Sequence, residues 1–158
     1  MRPSFNRLTL FKIALLAGVW TSYGLLCAWQ THYWYAFTRT PMSWADCLHI
    51  QLTYSTLWAL CTPFVAAAAN RFRFERGRWP RNLLLHICVM TLTVSVTRIA
   101  FDLIVHPDEL LSHSFTLGKL FRSIESTFDT GPLLYAVVVL VQSAVVYQER
   151  YQLSLIHI

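Results

Sequence analysis

The stretch TPFVAAAANRFRFERGRWPRNLLL, residues 62–85, decides the fold. It leaves one apolar run through Val65 and four consecutive alanines, passes Arg71, Arg73, Arg76, Arg78 and Arg81, and enters a second apolar run at Leu83. Arginines crowded between two such runs read as the turn of a helical hairpin whose arms lie in hydrocarbon. Working outward, the apolar stretches are Leu8–Trp29, Trp44–Ala69, Asn82–Val105 and Gly131–Tyr147. At a rise of about 1.5 Å per residue, each crosses or nearly crosses a hydrocarbon core about 30 Å thick. The expected fold is all-α, a four-helix transmembrane bundle over residues 1–152.

Composition agrees, since 55% hydrophobic residues with only 13% charged is beyond what a water-soluble domain of this length carries. The net charge of +5 does not point to nucleic acid, because the basic residues sit at the ends of apolar runs rather than along a polar face. The bilayer is the expected partner. Cys27, Cys47, Cys61 and Cys88 follow no close paired spacing and read as small apolar residues, with a Cys27–Cys47 disulfide as the alternative. The first run is too long for a typical cleaved signal peptide and is followed by no cleavage site, so it reads as an anchor.

Lysine and arginine are held on the cytoplasmic side during insertion. Arg2, Arg7 and Lys12, the five turn arginines and Arg150 therefore place both termini and the Arg-rich turn inside, against Arg39, Lys119 and Arg122 outside. Trp29, Tyr33, Trp34, Tyr35, Phe37 and Trp44 would form an outer aromatic belt, and Trp79 an inner anchor. Ser43, three residues before Asp46, reads as an N-terminal cap for the second span. Pro63 removes the hydrogen bond to the carbonyl of Ala59 and supplies a cause for a bend. Leu117, Leu120, Phe121, Ile124 and Phe128 recur at helical spacing, as in a short helix on the outer interface or leading into the last span.

Arg98 and Asp102 stand one helical turn apart inside the third run, where an ionised side chain costs about 3 kcal/mol or more unless paired or hydrated. Their depth matches that of Asp46 and His49 at the outer start of the second span. Asp46, His49, Arg98 and Asp102 are therefore the candidate sensing cluster, with mutual neutralisation and helix capping as the structural alternative. His32, His106, His113 and Asp108 follow no metal-ligand template. His86 reads as a hydrogen-bonded packing residue rather than a base. The chain has no phosphate-cradling glycine loop, nucleophile elbow or His-Glu-x-x-His helix, so no catalytic residues are assigned.

Trp58 followed by Thr62-Pro63, then Arg71-Phe72 and Arg76, then Trp79-Pro80-Arg81 and His86 resemble the membrane region of bacterial sensor histidine kinases of the LytS/YehU type. Arg73 stands where proline is usual in that pattern. The likeness covers roughly residues 55–152 and includes Leu133-Leu134-Tyr135 through Tyr147-Gln148-Glu149-Arg150-Tyr151, which resembles the last span and the start of a connecting helix. It implies a bacterial inner-membrane signal-input module, acting as a homodimer and reaching a response regulator only through a kinase domain. ATP and magnesium would belong to that domain, and no cofactor is expected in this chain. Residues 153–158, including His157, lack the family's phosphoacceptor context and read as a truncated or non-native tail. The alternative function is a small multi-span transporter or structural membrane subunit, for which Arg98 and Asp102 would line a pathway.

Overall fold

In the computed structural model, residues 7–38, 40–73, 77–107, 117–128 and 130–156 are described. Arg2, Arg39, Arg76, Asp108, His113 and His157 lie outside them. The described chain is all-α: α1 (Arg7–Ala36), α2 (Trp44–Arg71), α3 (Trp79–Val105), the short α4 (Leu117–Glu125) and α5 (Gly131–Ile156), with no strand among the described residues. The four long helices form the bundle. Each has a window apolar enough to cross a membrane, and at most 22% of any such window is buried. Leu10, Phe11, Leu26, Phe64, Leu92 and Leu140 are all more than half exposed. Apolar surface on this scale is untenable in water and is what lipid-facing helices present.

All four long helices exceed their apolar stretches, two of them by more than three residues at the C-terminal end. α1 continues past Trp29 to Ala36 because Thr31 and His32 find partners on α2: Gln51 Nε2 donates to Thr31 Oγ1 at 3.0 Å, and His32 meets Trp44 edge to face at 5.2 Å. α5 continues past Tyr147 to Ile156, since Gln148, Glu149 and Arg150 suit a solvated helix as well as any residues do. Ser43 caps α2 as its spacing predicts, with its Oγ accepting from the Asp46 backbone N–H at 3.1 Å. α2 remains a single helix through Pro63.

Two compact units make up the chain. One comprises residues 1–60 and 101–107. On α1, Trp20, Gly24 and Ala28 are buried at four-residue spacing, and the small pair Gly24 and Ala28 is of the kind that lets membrane helices approach closely. Gly24 faces Leu52 and Ser55 of α2. Trp20 stacks on Trp58 at 6.1 Å, and Tyr54 meets Phe101 edge to face at 5.9 Å, so aromatic rings fill this core. All four cysteines are free thiols.

The other unit comprises residues 61–100 and 108–158. Its core is Val65, Ala69, Val94, Tyr135 and Val139, with Asn82, His86, Thr97 and Thr127 buried among them. α5 begins beside the middle of α3: a Cβ on Gly131 would stand 2.8 Å from Val94 Cγ2, so only glycine permits this approach. Val94 is about 22 Å along α3 from Trp79. α5 thus runs beside the first half of α3, and α4 with its following turn lies beside the second half, where Arg98 Nε donates to Ser123 Oγ at 2.7 Å. Thr93, Thr97 and Ser143 return their hydroxyls to carbonyls on their own helices, which leaves no polar demand on lipid.

Candidate functional site

The densest polar constellation lies where α2 ends and α3 begins. α2 stops at Arg71, and Phe72 N–H still donates to the Ala68 carbonyl at 2.8 Å. Beyond the arginines the chain reverses at Gly77, whose φ of 92° is a left-handed conformation that glycine alone adopts without strain. Arg78 immediately precedes α3, its carbonyl accepting from Asn82 N–H at 3.1 Å. The side-chain amide of Asn82 donates back to the carbonyl of Arg73. A buried amide therefore satisfies a backbone acceptor that the end of α2 leaves open.

His86, one helical turn further along α3, completes the closure. Its Nε2 lies 3.0 Å from the carbonyl oxygen of Phe72 and its Nδ1 lies 2.8 Å from Tyr135 Oη. A carbonyl only accepts, so Nε2 carries a proton; in the tautomer protonated there alone, Nδ1 accepts from the tyrosine hydroxyl. Phe72 and Tyr135 also set their rings edge-on to the imidazole, at 6.4 and 6.0 Å. His86 and Tyr135 are 5% and 4% exposed, so little of either side chain reaches the outer surface. Nearer the end of α2, Gln142 Nε2 donates to Asn70 Oδ1 at 3.2 Å. Three elements, the end of α2, the first turns of α3, and α5, are thus pinned by side chains.

Around this knot the surface is basic. Arg71, Arg73, Arg78 and Arg81, with Asn70, Phe72 and Asn82, line a cavity of about 490 Å³. A second, of about 260 Å³, shares Asn70 and Arg73 and runs along α5 past Val139, Val146 and Tyr147 to Arg150. Arg73 Nε is buried and has no hydrogen-bond acceptor among the described residues.

Of the resemblance residues, Trp58 is fully buried in the first unit and Thr62 is half-buried on α2, with Pro63 exposed beside it. Phe72 and His86 are joined in the knot just described. Arg71, Trp79 and Arg81 are exposed around it, and Arg76 lies outside the described residues. Of the candidate sensing cluster, Asp46 is exposed and its carboxylate accepts from Ser43 Oγ at 2.6 Å, while His49 is exposed on the same helix. Asp102 is buried, and Arg98 is half-buried with Ser123 as one partner. Both Arg98 and Asp102 take part in further polar interactions. Asn82, Gln142 and Ser123 were not singled out by sequence; Tyr135 stood within the resemblance only as part of the last span, and nothing local marks it as a partner of a histidine 49 positions away. No group of three or more metal-ligating side chains occurs among the described residues.

Four long apolar helices with lipid-facing surfaces define a multi-pass membrane protein of the all-α, four-helix bundle class. No protein-family model, no curated protein and no solved structure matches the chain.

Proposed function

We propose that this chain is the membrane-embedded signal-input module of a bacterial sensor histidine kinase of the LytS/YehU type, itself non-catalytic. The supporting observation is the His86 knot. It joins two residues of the resemblance, Phe72 and His86, to Tyr135 on α5, the helix that continues toward the C-terminus. A shift in packing at the α2–α3 hairpin would therefore be felt directly by the helix that, in such a protein, leads to the kinase. Only a few kcal/mol of differential stabilisation moves a two-state element of this kind.

In this reading the Arg-rich turn and both termini face the cytosol of a bacterial inner membrane, and the module works as a homodimer. Phosphorylation of a response regulator, with its ATP and magnesium, belongs to the attached kinase domain. Asp46, His49, Arg98 and Asp102 remain the proposed sensing residues at the opposite end of the helices. Reading the coding DNA beyond codon 152 tests the proposal. A continuing frame with a histidine-bearing dimerisation helix and nucleotide-binding boxes is the expected result, and an immediate stop codon overturns it.

A further inference from the structure

We infer that the α2–α3 turn and the adjoining face of α5 form a binding site for the phosphate-bearing headgroup of an anionic membrane lipid. The inference needs only a membrane and does not depend on the kinase reading. Its first support is charge. Arg71, Arg73, Arg78 and Arg81 all border one cavity, and no carboxylate is among the described residues that line it. The whole turn holds five arginines against the single Glu75. Four like charges around one cavity repel each other and call for an anion between them.

The second support is an unfilled donor. Arg73 lines both cavities, and its buried Nε has no acceptor among the described residues. A guanidinium matches a phosphate with paired, charge-assisted hydrogen bonds, which a neutral ligand could not supply. α3 adds to the positive field: it begins at Trp79 with no acidic residue in its first turn, so its positive dipole end is unopposed by a first-turn carboxylate beside Arg78 and Arg81.

The shape favours a lipid over a small phosphorylated solute. The basic cavity shares Asn70 and Arg73 with a second that has Val139, Val146 and Arg150 in its wall. A polar mouth that opens onto apolar helix surface fits a headgroup whose chains lie against α5. Trp79, next in sequence to the lining residue Arg78, is 56% exposed, as suits an interfacial ring at headgroup depth.

The test uses the purified 158-residue chain in maltoside detergent, with native mass spectrometry to measure binding of dioleoylphosphatidylglycerol, dioleoylphosphatidylcholine and inorganic phosphate. Phosphatidylglycerol should bind at least about tenfold more tightly than phosphatidylcholine, since each basic residue near a headgroup contributes about fivefold. Arg73→Gln with Arg81→Gln should weaken that binding about twenty-five-fold, and the exposed Arg78→Gln about fivefold, with helix content by circular dichroism unchanged. Arg122→Gln, which removes a charge on α4 beside the second half of α3, should leave it unchanged. Equal binding of the two lipids, or wild-type affinity in Arg78→Gln and in the double variant, overturns the inference. Inorganic phosphate binding as tightly as phosphatidylglycerol would assign the site to a free anion and overturn the lipid occupant. None of these outcomes bears on the coding frame, so the two proposals fail separately.

Discussion

Replacing Tyr135 with phenylalanine removes one oxygen atom and is the sharpest probe of the knot at the start of α3. The ring and its packing against Val139 and its neighbours are kept, so no cavity opens. The loss is the hydroxyl 2.8 Å from His86 Nδ1, in a place where both residues are at most 5% exposed. A neutral hydrogen bond contributes about 0.5–1.5 kcal/mol in soluble proteins, whereas interhelical bonds in membrane proteins average about 0.6 and reach about 1.7. The ring nitrogen left without a donor moves the expectation to the upper part of that range, about 1–1.5 kcal/mol. His86→Ala should cost more, about 2–4 kcal/mol, because it strands both the Phe72 carbonyl and the Tyr135 hydroxyl and leaves a void. In the double variant the bond is already gone, so the two costs should fall short of additivity by about 1 kcal/mol. Reversible unfolding in mixed micelles, followed by circular dichroism, measures all three variants. Tyr135→Phe within about 0.3 kcal/mol of the parent, or strictly additive costs, would refute the pairing.

At Gly131, valine should destabilise by about 1–3 kcal/mol in the same unfolding assay, because its branches would be driven into Val94; a neutral result would mean that α5 starts elsewhere. Gly77→Ala should cost about 1 kcal/mol through the φ of 92°, and a more stable variant would contradict that turn geometry. In a cysteine-free background, Arg78→Cys should resist a membrane-impermeant maleimide added to intact cells and Thr40→Cys should react; the opposite pattern would invert the proposed orientation. Ser123→Ala removes the acceptor that Arg98 Nε uses and should lower stability by about 1 kcal/mol, more than Ser126→Ala, whose hydroxyl bonds only its own turn.

The helices were legible because hydropathy is a local property: Leu8–Trp29 and Asn82–Val105 announce themselves residue by residue. Their ends were less so. The termination of α1 at Ala36 depends on Thr31 and His32 meeting Gln51 and Trp44, and that of α5 on a polar segment that is helical without being apolar. The cap at Ser43 was readable because donor and acceptor are three residues apart. The partners of His86 were not, since Tyr135 is 49 residues away and its phenol is indistinguishable in sequence from any interfacial tyrosine. The turn arginines were legible as a hairpin turn, as markers of orientation and as part of a resemblance; their convergence on one cavity required the chain to fold back at Gly77 and α5 to lie alongside.

By itself the sequence determined the solvent and the architecture. Apolar runs about 20 residues long must satisfy their own backbone bonds in lipid, and helices are the form that does so within one segment. Only the tertiary structure decided where α5 starts against α3, which hydroxyl completes His86, and which four arginines share a cavity. Those are pairings between residues far apart in the chain, set by the shapes of packed surfaces and the geometry of single hydrogen bonds, and no local pattern of residues encodes them.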